Sequence, residues 1–422
     1  MTHGLRASLA GLYLLSAALG FAQDVGPSRV MDASYFGMHI HRAAAGTAWP
    51  SVQFGSWRLW DSMVTWRDLE PFKGYWRFET LDRLVSLAEQ RGVSVLLTLG
   101  VTPVWASARP EEGCWAGRGR CAEPQHLEDW ENYVRTVVER YRGKIVAYEL
   151  WNEVIFSDLY SPYDANGRAY FYSGTSASMI DLAQSAYRII KEVDPSAKLV
   201  SPSLHILQRD WIQALRLYLG AGGAAYTDAV SFHFYADTPE HALPAISAVR
   251  EAMNEYGLAD KPLWNTETGF VTRNDSEPQS YAGVSPEQAA GYVARSFALD
   301  AAAGVDRVYW YAWDNTIYGL SVDNGQAATK AGAGYAIASE WLKDAVIRRC
   351  QLRPDEVWSC QIERGNTVSM LVWRTHGSLA WHTPDEWHVS GYKLLVEPGS
   401  HWTAPSAQRV PVDSNPILLR IN

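Results

Sequence analysis

The sequence predicts an α/β protein: a (β/α)8 TIM barrel followed by a small C-terminal β-sandwich. Three observations predict it. Eight short apolar segments alternate with helix-length amphipathic ones over most of the chain, a pattern that argues for parallel βαβ units closed into a barrel. From Cys350 onward the pattern changes to short alternating strands punctuated by turn residues such as Arg364-Gly365-Asn366. At 422 residues the chain also exceeds what one compact core usually holds.

In chain order, the expected barrel strands are Tyr35–His41, Ser56–Trp60, Ser94–Gly100, Ile145–Asn152, Lys198–Leu204, Ala229–Tyr235, Leu263–Thr268 and Arg307–Trp313. Near-continuous apolar runs such as Val95-Leu96-Leu97 suit a parallel sheet covered on both faces. Amphipathic segments between them are Leu81–Arg91, Leu127–Tyr141, Ser178–Val193, Pro239–Tyr256 and Pro286–Ala303. A last helix from Gly332 to Val346 closes the barrel. The sandwich strands are Val357–Glu363, Thr367–Arg374, Tyr392–Glu397 and Ile417–Arg420. The connection Val101 to Pro124 is long and rich in Pro, Gly, Trp and Cys; such loops at strand carboxyl ends shape sites. Domain limits follow: a signal peptide over 1–22, a barrel over 23–346 and a sandwich over 347–422. No internal repeat or low-complexity linker separates the last two, so rigid packing is expected.

Arg6, the apolar stretch Ala7 to Phe21 and the small residues Gly20 and Ala22 read as a signal peptide cleaved after Ala22. The stretch is short for a membrane anchor and is broken by Ser8, Gly11 and Ser16. The mature protein is therefore expected in the periplasm or outside the cell, as a monomer away from the membrane. Cys114 with Cys121 and Cys350 with Cys360 form two local pairs, the simplest of three possible pairings. Neither pair has zinc-finger partners, so disulfides are expected and no metal or cofactor is. A net charge of −9 argues against nucleic acid as a partner. The 19 Trp and 22 Tyr offer flat apolar faces that match the C–H faces of sugar rings. Most of those rings also have a large core to fill. Trp373, Trp381, Trp387 and Trp402 would serve a polysaccharide-binding sandwich or simply its interior.

The fourth strand runs out in Trp151-Asn152-Glu153, and the seventh in Trp264-Asn265-Thr266-Glu267-Thr268. Both carboxylates then sit at the barrel's carboxyl-terminal face, where such barrels place reactive groups. Glycosidic cleavage needs two opposed carboxylates: one protonates the leaving oxygen, the other attacks the anomeric carbon or activates water. These two strings resemble the paired signatures of clan A glycoside hydrolases, with the closest likeness to family 39 and its PslG-type exopolysaccharide glycosidases. The resemblance spans Tyr35 to Val346. It implies Glu153 as acid/base, Glu267 as nucleophile, and retention of configuration through a glycosyl-enzyme.

The resemblance also implies Arg58 beside the nucleophile, His233 and Tyr235 on strand six, and Trp313 as the floor of the subsite at the scissile bond. It gives Asn152 a hydrogen bond to the sugar 2-hydroxyl. The histidine that several clan families carry at the end of strand three is replaced by Gly100-Val-Thr-Pro, a departure that points away from family 5. His39 and His41 should face the mouth, where His41 is a candidate for binding sugar, the alternative being a hydrogen-bonded support for the nucleophile's surroundings. Trp105 and Trp115 are candidate sugar platforms, and Asp158 and Tyr160 candidate cleft residues. Glu149 shares a face with Glu153 if the strand is regular, and reads as structural. The expected function is endo-cleavage of a bacterial exopolysaccharide, hence of biofilm material. The alternatives are an exo-acting β-glycosidase such as a β-xylosidase, or a non-catalytic carbohydrate-binding barrel. A sugar acceptor in place of water would give transglycosylation.

Overall fold

The computed structural model describes residues 29–421 apart from 207, 209, 271–283, 316 and 396–398. The expected signal peptide lies outside the described residues.

Eight strands pair in parallel: β1 (Phe36–Met38), β2 (Ser56–Leu59), β3 (Ser94–Leu99), β4 (Ile145–Leu150), β5 (Lys198–Val200), β6 (Val230–His233), β7 (Leu263–Thr268) and β8 (Val305–Trp310). Their order is β5-β4-β3-β2-β1-β8-β7-β6. The bridges Val200↔Ala229 and His205↔His233 join the two ends, so the barrel closes. Inside it, Leu96, Ala147, Val200, Ala229, Trp264 and Tyr309 form an apolar plug. One pleat above, the inward positions turn polar: Arg58, Thr98, Glu149 and His233, all buried. Every strand except β7 ends short of the segment expected from the sequence, and these polar residues sit at the last or next-to-last paired position of β2, β3, β4 and β6.

The covering helices are α1 (Trp66–Leu69), α2 (Glu79–Arg91), α3 (Leu127–Arg140), α4 (Ser176–Val193), α5 (Trp211–Gly220), α6 (Leu243–Glu255), α7 (Pro286–Ala302) and α8 (Lys330–Leu342). Their starts carry chemical signals. Thr175 accepts from the Ser178 amide, Ser285 caps α7 with Pro286 in its first turn, and Thr329 accepts from the Gly332 amide. The segment Pro239–Tyr256 divides into a 3-10 turn (Pro239–Ala242) and α6. Helix α5 was not anticipated, and α8 ends at Leu342 rather than Val346: Asp344 takes a left-handed φ of 59° and the chain turns into a strand.

A hairpin, β9 (Ser321–Val322) and β10 (Ala327–Ala328), follows β8. The carboxyl-terminal part then contains β11 (Val346–Leu352), β12 (Trp358–Arg364), β13 (Thr367–Trp373), β14 (Leu379–His382), β15 (Val389–Leu394), β16 (Arg409–Val412) and β17 (Ile417–Ile421). A five-stranded antiparallel sheet, β11-β12-β13-β17-β15, faces the pair β14-β16 across Met370, Val372, Trp381, Val410 and Val412. The sequence reading lacked β11, β14 and β16: β11 and β14 show no clean alternation, and β16 alternates over only four residues with Pro411 among them. Both expected disulfides form, Cys114–Cys121 and Cys350–Cys360. Trp373 and Trp381 are buried, with Nε1 of each donating to a carboxylate, Glu240 and Asp355 respectively. Among the described residues, no helix is long and apolar enough to cross a membrane.

Candidate active site

Both carboxylates reach the barrel mouth through local departures from strand geometry. Trp264 points into the barrel, so simple alternation would send Glu267 inward only after a shift of one residue. The pairing between β6 and β7 slips at that point: Phe232 faces Asn265, but His233 faces Glu267. The extra residue, Thr266, turns Asn265 outward to Asp300 on α7 (Nδ2 to Oδ2 2.8 Å) and Glu267 inward. On β4, Trp151 takes a φ of 63° and Glu153 a φ of 43°, which ends the strand. The Trp151 ring packs beside Gly100, where a Cβ would lie 2.9 Å from the indole. That close approach explains why glycine stands at the end of β3.

Arg58 links the site from below. Its Nε donates to Glu149 Oε2 (2.7 Å), an oxygen that also lies 2.5 Å from Nη2; Nη2 donates to Asn152 Oδ1 (2.7 Å), and Nη1 to Glu267 Oε2 (2.9 Å). Thr98 Oγ1 adds a bond to Glu149 (3.0 Å). Glu149 is therefore the arginine's buried counter-ion, the structural role expected of it. Asn152 keeps its oxygen on the guanidinium, which leaves its amide N–H groups as the ones a sugar hydroxyl can accept from.

Glu267 Oε1 accepts from the Tyr235 hydroxyl (2.8 Å). Glu153 Oε1 meets His233 Nδ1 at 3.0 Å, and the same nitrogen lies 3.8 Å from Glu267 Oε2. A carboxylate oxygen of Glu153 and one of Glu267 thus fall within 4.8 Å of each other. Burial raises the pKa of both, and for Glu267 the neighbouring Glu153 adds to the rise. Burial, with Arg58 and His205 nearby, holds His233 well below its ordinary value, so it is neutral. A half-buried and a buried carboxylate this close titrate as a coupled pair. Glu267 has the guanidinium and the phenol to stabilise its anion; Glu153 has neither.

A cleft of about 680 Å³ opens over the pair, lined by Glu153, His205, Tyr235, Glu267, Tyr311 and Tyr318 among others. Glu153, His233 and Glu267 could also offer ligands to a cation, but Arg58 already places a positive charge against Glu267, which opposes one.

Arg58, Asn152, Glu153, His233, Tyr235 and Glu267 are thus brought together. Three expected residues stand elsewhere. Trp313 is fully buried and its amide donates to His39 O (2.8 Å), so it cannot floor a subsite; β8 ends at Trp310, and Tyr311 takes the exposed place. Trp105 is half-buried, with Nε1 on Glu70 O (2.9 Å) and its edge on Trp66, away from the cleft. His41 packs behind Tyr311 (ring centroids 4.7 Å apart), and His39 binds Thr266 O (3.1 Å). Asp158 caps α4 through Ser176 (2.9 and 2.5 Å). The sequence reading missed His205 and Tyr311. His205 stacks on Tyr235 (5.1 Å, 10°) with Nε2 3.9 Å from Glu153 Oε1. Its signal was a histidine directly after the fifth apolar segment.

Residues 48–210 match the model of glycosyl hydrolase family 10, and residues 173–335 match that of a glycosyl hydrolase catalytic core. The first span contains Glu153 and the second Glu267. Over 132 residues the chain is 32% identical to endo-1,4-beta-xylanase A of Thermotoga neapolitana, covering 31% of this chain and 12% of that protein. It is 26% identical over 173 residues to an endo-1,4-beta-xylanase of Agaricus bisporus, covering 39% and 47%. The chain thus spans less than half the length of either relative. Two solved structures align over almost the whole chain. A glucosidase from Croceicoccus marinus gives a TM-score of 0.61 at 13% identity, covering 95% of this chain and 98% of that one. The family 30 xylanase C catalytic domain from Talaromyces cellulolyticus gives 0.59 at 12%, covering 95% and 98%. These likenesses establish the fold, and both matched models are those of glycosyl hydrolases.

Proposed function

We propose that the protein is an exported, retaining glycoside hydrolase that cuts internal bonds of a polysaccharide, with Glu267 as nucleophile and Glu153 as acid and base. One observation carries this reading: two carboxylates at the mouth, Glu267 buried and Glu153 half-buried, approach within 4.8 Å and differ in their donors. Retaining glycosidases hold their carboxyl groups about 5–5.5 Å apart, whereas inverting ones leave about 6.5–9.5 Å for a water. Glu267, ionised on Arg58 and Tyr235, attacks the anomeric carbon as Glu153 gives its proton to the departing oxygen. A sugar ester of Glu267 forms. Glu153, now a carboxylate, takes a proton from water; that oxygen bonds to the anomeric carbon, the ester breaks and Glu267 is restored.

Internal cleavage is supported by the endo-xylanase relatives of the segment around Glu153. Export is supported by the two local disulfides, which belong to an oxidising compartment. For the substrate, β-1,4-xylan follows those relatives, while a bacterial exopolysaccharide follows the likeness of the two carboxylate strings to PslG-type enzymes. The test is to incubate wild type and Glu267→Gln with xylan and with purified exopolysaccharides and to size the products. Wild type should release oligosaccharides of mixed length from one of them, and the variant should be slower by roughly 10⁴- to 10⁶-fold. Release of monosaccharide alone would refute internal cleavage, and full activity of the variant would refute the nucleophile.

A further inference from the structure

The loops after β3 and β4 are tied into a small ribbon. Cys114 bridges Ala169 in parallel register, and the Trp115 amide donates to Ala169 O (2.9 Å). The Cys114–Cys121 disulfide fixes this ribbon from behind. Side chains alternate across such a ribbon. Cys114 and Ala169 face inward and are buried, so Trp115, Arg168 and Tyr170 face outward. Trp115 is 54% exposed and Tyr170 41%. The Arg168 guanidinium lies 4.1 Å over one face of the Trp115 ring and is held there by Asp164 (2.9 Å). Trp115 is therefore braced on one side and open on the other.

This ribbon hangs on the strand end that carries Glu153. Trp151 Nε1, two residues before Glu153, donates to Phe171 O (2.6 Å), next to Tyr170. The cleft, by contrast, is lined by Glu153 and Glu267 and by the loops after β5 to β8, so the ribbon stands outside that lining, at the Glu153 end of the barrel mouth. Arg109 is bound by Glu112 and Glu123, as Arg168 is by Asp164. What the ribbon offers is thus two aromatic faces more than a charge. An exposed, pre-oriented aromatic pair costs little entropy to engage and matches the C–H faces of uncharged sugars.

We propose that the Trp115–Tyr170 face is a stacking site for neutral sugar units on the leaving-group side of the polysaccharide chain, beyond the bond that Glu153 protonates. The proposal rests on reading the cleft as a polysaccharide site. The test is native electrophoresis through gels containing xylan, carboxymethyl-cellulose or purified bacterial exopolysaccharide. Glu267→Gln provides the background, so that the polymer survives. Trp115→Ala, Tyr170→Ala and the double variant are run in it, with thermal melting as the control for folding. At least one polymer should retard the parent, and each variant should weaken the apparent affinity by about 2- to 10-fold, with melting unchanged. Equal retardation of parent and variants, or retardation of the parent by no polymer, would overturn the proposal. So would a concentration-dependent dimer lost in Trp115→Ala, which assigns the face to a second copy. Retardation without hydrolysis by wild type would sink the proposed activity and leave the stacking site standing.

Discussion

At the residue scale, the site is organised by one guanidinium. Arg58 is fully buried and offsets the charge of Glu149, which frees its remaining donors for Asn152 and Glu267. The division of labour proposed for the two glutamates rests on that imbalance. It also fixes a pH profile. In the proposed roles Glu267 works ionised and Glu153 protonated, so the rate should rise with pH as Glu267 loses its proton and fall as Glu153 loses its own. Burial raises both, so the bell is displaced upward from the ordinary carboxylate range. In Glu267→Gln the anion facing Glu153 is gone, and the Glu153 pKa should fall. Carbon-13 NMR titration of labelled glutamate checks this. A Glu153 titration unmoved by the substitution would show that the two are not coupled.

At the element scale, three backbone irregularities aim the reactive side chains: the slip at Thr266, the left-handed Trp151 and the left-handed Glu153. Left-handed φ at such residues costs on the order of 1–3 kcal/mol each and persists because the surroundings over-determine it. Gly100 is part of those surroundings. With φ at 148° and the Trp151 indole 2.9 Å from the place of a Cβ, Gly100→Ala should destabilise by about 1–3 kcal/mol. Because Trp151 leads directly into Asn152 and Glu153, it should also lower kcat. Urea unfolding and steady-state rates check both, and an unchanged kcat would separate Trp151 from the placement of Glu153.

These irregularities also mark what could be read from the sequence. Apolar runs ending in Asn152-Glu153 and Glu267 revealed the strands and their polar tips; either glutamate alone could have been a salt-bridge partner, and it was the pair, on strands four and seven, that pointed to a site. Trp313 was misplaced because aromatic residues continue from Trp310 to Trp313, and nothing in that run says where pairing stops. Trp105 was misread because a tryptophan in a long loop looks the same whether it faces sugar or the Trp66 ring. His205 was missed because only the closed barrel brings the end of β5 against β6.

At the scale of the whole molecule, the sandwich is welded to the barrel. Glu240, before α6, accepts from Arg295 on α7 (2.9 Å) and from the Trp373 indole on β13 (2.7 Å). Asn415 accepts from the Gly291 amide (3.1 Å). Ile347, Cys360 and Leu371 belong to the same apolar cluster as the barrel's outer face. Glu240→Ala would leave Arg295 buried without its partner, a loss of about 3–5 kcal/mol. Calorimetry should give one unfolding transition for wild type, moved to lower temperature in the variant. Two separate transitions in wild type would mean that the sandwich is an independent unit.

The central claim is that Glu267 becomes bonded to the sugar while Glu153 moves the proton. A 2-deoxy-2-fluoro glycoside with a good leaving group slows the second step more than the first and lets the ester accumulate. Mass spectrometry of the digested, inactivated protein should find the fluorosugar on the peptide containing Glu267. A label on Glu153, or turnover with inverted anomeric configuration and no label at all, would contradict the account.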